Sequence, residues 1–380
     1  MKGLQALLEI AVSEAQVPFV VASVADRNGV SYEGAAGDAG YYRKADNRTI
    51  FRIFSMTKAI GSTMAAIMIE RGKLSLDTPV AAVLPEWDDL SVCESMQAGK
   101  PVLRRPRTQA TLRHLATHTS GLEYEFWNSD VAAYMAATGH PSVLSGTLES
   151  MKYPLMTDPG TRWGYGPNID WLCRMVAAAD GRSIDRFCQE EILMPLGMFS
   201  TRFELLPDDA AQLANVHIRA ADRKFLPVDI NPPTNPEFYG MGHALYSTIR
   251  DYMRFCRMIL NAGTLNGVRI LGPEGISLLS NDQMGGPRFT KMVSSSLLTE
   301  DVDMFPGLPV GHTLGFLQNQ ADVPGQRRSG SLTWAGVLNT HFWIDPKAGL
   351  TAVIMTQSLP FADTPLMKFY RDFERVVYAA

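Results

Sequence analysis

The 380-residue sequence predicts an α/β (α+β) fold, with an antiparallel sheet built from both ends of the chain, flanked by helices, and a mainly helical domain inserted between them. Three observations predict it. Asn28-Gly29 separates two extended runs, PFVVASVAD and VSYEG, which is a strong hairpin signal. A second hairpin pattern near the other end reads THFWID, then Pro346-Lys347-Ala348-Gly349, then LTAVIMTQ. Between the two, helical periodicity, prolines and loops dominate, and strand alternation is scarce.

The elements follow in order. Leu4, Leu7, Leu8 and Val12 recur at helical spacing and predict a first helix over residues 3–15. After the first hairpin, Ile60, Met64, Ile67 and Met68 share one face of a helix over Ser55–Arg71, with Gly72 ending it. TLRHLATHTSGL predicts a short helix from Thr111 to Gly121. IDWLCRMVAAADG predicts one from Ile169 to a capping Gly181, and IDRFCQEEILMPLG one ending at Gly197. Thr364-Pro365 opens the last helix, with Pro in its first turn. The expected division is a discontinuous sheet domain over 1–75 and 246–380, a helical domain over 76–245, and an active site in the cleft between them.

Composition narrows the function classes. The net charge is −4, and the densest basic cluster is Arg104, Arg105 and Arg107 around Pro106, read as a solvated loop. No basic stripe interleaved with aromatics follows, so nucleic acid is not an expected partner. No apolar stretch approaches 18 residues, so no membrane span is expected. The opening residues lack a signal-peptide pattern. Cys93, Cys173, Cys188 and Cys256 form no C-x-x-C pair; buried free thiols, a reducing compartment and a cytoplasmic location are expected.

One stretch raises a chemical question. In FRIFSMTKAIGS, Ser55 and Lys58 lie three apart inside an apolar run. At that spacing on a helix the hydroxyl and the amine can meet. A serine needs a base to become a nucleophile, and a lysine serves when desolvation favours its neutral form. Phe51, Phe54, Met56 and Ile60 supply apolar neighbours. Free N–H groups at a helix start are ready oxyanion donors. S-x-x-K alone also fits a capping serine beside a solvent-reaching lysine, so partners are required.

Two partners stand out. Tyr165, in TRWGYGPNIDWL, lies in a Gly/Pro loop ahead of a helix and can relay a proton with a lysine. In SGSLTWAGVLNTHFWID, Gly336 precedes an extended run, and the Val337 N–H is a candidate second oxyanion donor. The other candidates are weaker. No G-x-S-x-G elbow exists, which argues against an α/β-hydrolase triad. His114 and His118 are read as structural, and His243 after Gly242 as a possible cleft residue. No spacing supports a metal site. Segments 123–135 and 281–312 border the expected cleft, with Phe126, Trp127 and Phe305 as candidates for an apolar acyl pocket.

Taken together, SMTK (55–58), THTSGL (117–122), WGYGPNIDWL, GMGHALYSTIRDYMRFCRMILNAGTLNG (240–267) and TWAGVLNTHFWIDPKAGL resemble, in this order, the serine β-lactamase/penicillin-binding superfamily, class C-like. Within it the sequence is most similar to family VIII carboxylesterases and simvastatin-synthase-type acyltransferases. β-Lactamases carry Lys-Thr-Gly or His-Thr-Gly where this chain has Trp334-Ala335-Gly336, so the cation that holds an anionic substrate is replaced. Pro167 stands two residues after Tyr165 where an Asn is usual, and Asn168 is displaced by one. Asp170 matches the esterase pattern as an orienting group.

The resemblance implies an acyl-enzyme mechanism. Ser55 attacks an ester carbonyl, Lys58 and Tyr165 act as base and acid, and the N–H groups of Ser55 and Val337 hold the oxyanion. Asp170, Trp334, Gly336, Asn168 and His243 are implied to bind or orient substrate. No metal or organic cofactor is required, and the partner is a small-molecule ester. Carboxylic ester hydrolysis is the first reading. Acyl transfer from an ester, thioester or protein-bound donor, a β-lactamase or D,D-peptidase, and a non-catalytic scaffold are the alternatives.

Overall fold

The computed structural model describes residues 3–379. At its centre is an eight-stranded sheet in which every neighbouring pair is antiparallel. The N-terminal part of the chain supplies β1 (Phe19–Asp26), β2 (Val30–Gly40) and β3 (Arg43–Lys44). The C-terminal part supplies β4 (Val310–His312), β5 (Leu317–Asn319), β6 (Leu332–Gly336), β7 (Thr340–Asp345) and β8 (Leu350–Met355). The spatial order is β4-β5-β6-β7-β8-β1-β2-β3, so the two ends of the sequence meet where Val21 faces Met355 and Asp26 faces Leu350.

β1 is buried along nearly its whole length because both faces of the sheet are covered. That is why it reads as a continuous apolar run rather than an alternating one. Val20, Ala22 and Val24 point to one face, against Leu4 and Leu8 of α1 (Leu4–Ser13) and Phe369 and Phe373 of the last helix (Thr364–Tyr378). Phe19 and Val21 point to the other, into the main core.

That core contains α2 (Thr57–Glu70), whose residues from Thr57 to Met68 are all buried. A helix enclosed on every side has no single apolar stripe. Its small residues allow close neighbours: a Cβ on Gly61 would stand 2.8 Å from Met241 Cβ and 2.9 Å from Cys173 Sγ.

The structure corrects several sequence expectations. Ser55 is not in the α-helix but in a 3₁₀ turn, Phe54–Met56, that leads into it. The helix expected over Thr111–Gly121 is only α3 (Leu112–Ala116); beyond it the chain turns through left-handed backbone at His118 (φ 56°) and Gly121 (φ 96°). At Gly121 a Cβ would meet Thr157 O at 2.2 Å, so the close approach requires glycine. The helix Ile184–Cys188 ends early and continues as a π-helical turn to Leu193.

The middle region also contains two hairpins, Val92–Gln97 with Lys100–Arg104 and Val216–Arg219 with Phe225–Val228. Their residues are mostly half-exposed, which blurs the apolar/polar alternation. Arg104 is not a loosely solvated loop residue. Its guanidinium forks onto Asp158 at 2.8 Å and reaches Glu94 at 2.6 Å. All four cysteines are free and buried. Among the described residues no helix is long and apolar enough to cross a membrane.

Candidate active site

The site begins with a strained turn. Phe54 has φ 40°, a left-handed conformation that costs a bulky residue on the order of 1–3 kcal/mol. Packing holds it there: its ring is buried with Val216, Leu338 and Leu359. The turn presents Ser55 at the N-terminal side of α2, where it lines a cavity of about 220 Å³.

One turn further on, Lys58 is buried, and its Nζ donates to Ser55 Oγ (3.1 Å), Tyr124 Oη (3.2 Å) and Gly242 O (2.8 Å). Its Nζ also lies 4.9 Å from the ring centre of Tyr165 and 5.2 Å from that of Tyr124. Among the described residues no carboxylate pairs with this amine.

Tyr124 is the functional candidate that the sequence reading missed. It lies 66 positions from Lys58 within the aromatic segment EYEFW, and no local spacing marks it. Burial pushes its phenol well above the usual tyrosine range, so it is present as a neutral hydroxyl. Tyr165 faces the amine with its ring. Its hydroxyl takes the indole N–H of Trp334 at 3.3 Å rather than a hydrogen bond to Ser55 or Lys58. The expected direct proton contact of Tyr165 is therefore replaced, in this structure, by one from Tyr124.

The sheet edge supplies the opposite wall. Gly336 faces Thr340 at the end of the β6–β7 hairpin, and a Cβ there would stand 2.3 Å from Ile53 O. Glycine is what lets this edge lie against the turn that carries Ser55. Val337 follows it and lines the cavity. Trp334 lines the cavity as well. The remaining lining is almost wholly apolar and includes Phe126, Trp127, Met292, Leu298, Val302 and Phe361. The two segments expected to border the cleft do so. Phe305 is the exception: it packs under the Arg327 guanidinium instead.

The remaining candidates separate by position. Asn168, at the start of α4 (Asn168–Asp180), does not line the cavity. Its amide is used by Ser120 Oγ, His118 Nδ1 (3.0 Å) and Leu122 O (3.2 Å), so it secures the turn after α3 and is not available to substrate. His118 is correspondingly structural: its ring stacks near Trp334 and meets Tyr165 edge-on, and burial holds it neutral, well below the usual histidine range. Asp170 orients the site from behind. Its Oδ1 accepts the Gly242 N–H at 2.7 Å, and the Gly242 carbonyl takes the Lys58 amine. His243 lines the cavity. Among the described residues no cluster of three or more His, Cys, Asp or Glu could hold a metal ion.

This arrangement is a cavity-lining serine beside a buried lysine, with two phenols, two candidate oxyanion donors and an apolar chamber. A family model described as Beta-lactamase matches residues 4–376. The chain belongs to the β-lactamase family.

Two curated relatives illustrate the branch. Monacolin J acid methylbutanoyltransferase of Aspergillus terreus is 31% identical over 97% of this chain and 93% of its own. Lovastatin esterase of Penicillium rubens is 28% identical over 84% of this chain and 82% of its own. Among solved structures, unliganded simvastatin synthase from Aspergillus terreus matches with a TM-score of 0.82 at 28% identity, over 99% of this chain and 97% of that one. EstCE1, a hydrolase with promiscuous acyltransferase activity, shares the fold at a TM-score of 0.77 and 20% identity. At the level the family supports, this is a β-lactamase-fold serine hydrolase or acyltransferase.

Proposed function

We propose that this enzyme takes a neutral, apolar acyl group from a carboxylic ester or thioester onto Ser55 and passes it to an alcohol, with water as a competing acceptor. The observation that carries the reading is the Lys58 amine 3.1 Å from Ser55 Oγ, free of any carboxylate and enclosed in an apolar cavity. Simple ester hydrolysis, the first sequence reading, is the same chemistry with water in the second step. The acyltransferases among the relatives favour transfer.

In the first half-reaction the Ser55 proton moves to Lys58 Nζ as Oγ attacks the acyl carbonyl. The N–H groups of Ser55 and Val337 stabilise the oxyanion, and Lys58 returns the proton to the departing oxygen or sulfur. Tyr124 and Gly242 O hold the amine in line during both transfers, and Tyr165 covers it. Trp334 offers an indole where a carboxylate-bearing β-lactam requires a cation, so uncharged donors are favoured. Residues 1–75 with 246–380 on one side and 76–245 on the other form the two walls of this cleft, and the four free thiols support a reducing, cytoplasmic setting.

The test is mass spectrometry after a fluorophosphonate probe. An adduct on Ser55 that is lost in Lys58→Ala is expected, and labelling of any other residue overturns the reading. Fast nitrocefin turnover would sink the exclusion of β-lactams by Trp334.

A further inference from the structure

The cavity wall carries one polar ring that the protein itself does not use. His243 is 4% exposed and lines the chamber, yet its Nδ1 is buried without a hydrogen-bond partner. Asp170 is fully buried, and its Oδ2 is also unpartnered.

The glycines between them show how the ring is turned. A Cβ on Gly240 would stand 2.4 Å from His243 Cε1, 3.0 Å from His243 Nδ1 and 2.8 Å from Asp170 Oδ1. The Nδ1–Cε1 edge therefore faces Gly240 and the carboxyl group. Nδ1 is the enclosed nitrogen; Nε2 makes no hydrogen bond either but is not enclosed, and the ring lines the chamber. The preceding residue, Gly242, holds the Lys58 amine on its carbonyl, so the imidazole is one peptide away from the group that moves the proton.

We propose that His243 holds the water that competes with an alcohol for the acyl-enzyme, and so sets the ratio of hydrolysis to acyl transfer. This rests on the acyl-enzyme reading above. In the tautomer that carries the proton on Nδ1, toward the nearby Asp170, Nε2 has a free lone pair. Burial keeps the ring neutral, and the nearby Asp170 does not reverse that.

A water molecule has two O–H groups and satisfies both acceptors, Lys58 Nζ and His243 Nε2. An alcohol has one O–H, which must go to Lys58, and leaves the imidazole lone pair unmatched. During hydrolysis the water oxygen bonds to the acyl carbon while its proton moves to Lys58 Nζ. The tetrahedral intermediate then breaks its bond to Ser55 Oγ, and the Lys58 ammonium returns that proton to Oγ. The carboxylic acid leaves with the O–H that His243 held.

The experiment compares the full-length protein with His243→Phe and His243→Gln, using p-nitrophenyl butanoate in buffer containing 1-butanol. Butyl butanoate and butanoic acid are quantified together, so their ratio does not depend on the active fraction. The ratio of transfer to hydrolysis is expected to rise about fivefold in His243→Phe, the worth of one lost hydrogen bond. It should return toward the wild-type value in His243→Gln, whose amide oxygen can accept from water. Should the phenylalanine variant not fold, His243→Ala carries the same expectation. An unchanged or lower ratio overturns the proposal, and so does a glutamine variant that matches phenylalanine. Wild-type protein that forms no adduct on Ser55 overturns the acyl-enzyme reading instead, whereas an adduct with a flat ratio overturns only the role of His243.

Discussion

Arg327 and Lys58 are both almost completely buried, and their surroundings differ. Arg327, in the loop ahead of β6, is 1% exposed and paired with a carboxylate. Its Nε and Nη2 reach Glu374 Oε1 and Oε2 at 2.7 and 2.8 Å, Nη2 also reaches Tyr370 Oη at 2.6 Å, and the guanidinium lies over Trp343 and Phe305. These partners lock its charge on. Lys58 is equally buried but meets only neutral acceptors: a serine, a tyrosine and a peptide carbonyl. A paired charge inside a protein is part of the architecture, whereas an unpaired amine is free to exchange a proton.

The sharpest way to break this comparison is Lys58→Met. Turnover of a p-nitrophenyl ester should fall about a thousandfold or more, because the base is gone. The urea midpoint should hold or rise, since a methionine of similar volume carries no polar group to desolvate. A variant that unfolds while its residual activity persists would reverse the contrast.

The complementary change is Glu374→Ala. It leaves the Arg327 charge uncompensated and should cost about 3–5 kcal/mol in chemical denaturation, while activity per folded molecule is kept. A loss under 1 kcal/mol on that same ~1 kcal/mol scale of a surface pair would show that Arg327 is stabilised by its aromatic neighbours alone.

Next in size is a pH effect from the same region. Burial first, and then the Arg327 charge, hold His341 neutral with its pKa lowered to about 3, and both ring nitrogens are buried without partners. Burial likewise lowers His312 to about 4. An unfolded histidine titrates near 6.5, so below that pH the unfolded chain binds protons that the folded one refuses. Melting temperature should therefore fall as pH drops from about 6.5 toward 4, and His341→Phe should flatten part of that slope. An identical slope in the variant would remove His341 from the account.

The smallest effect expected is that of Tyr124→Phe. Losing one neutral hydrogen bond to Lys58 should lower kcat about fivefold and leave the urea midpoint nearly unchanged. A drop as large as that of Lys58→Met would make Tyr124 a proton carrier rather than a holder of the amine.

The contrast also explains what could be read from the sequence. The Ser55–Lys58 pair is local, three residues apart, and its spacing survives the shift of Ser55 from helix to 3₁₀ turn. The sheet was legible because β1, β7 and β8 are buried apolar runs bounded by Asn-Gly and Pro-x-x-Gly turns. The polar half-exposed hairpins at 92–104 and 216–228 were not, since they carry no such pattern. Tyr124 and the pairing of Arg327 with Glu374 depend on tertiary contacts 66 and 47 positions apart, which no spacing rule encodes. Asn168 was placed one step from a known motif position, but its amide faces the turn behind the site, a difference that only packing decides.

The strained Phe54 turn has one more consequence, for the newborn chain. The side chains that pin it, Leu338 and Leu359, and the glycine edge that closes over Ile53, emerge from the ribosome hundreds of positions after the serine they position. Until they dock, the Phe54 ring lacks two of the three buried side chains packed on it, and the turn ahead of Ser55 lacks its closing edge. The geometry around Ser55 therefore depends on segments from the other end of the chain.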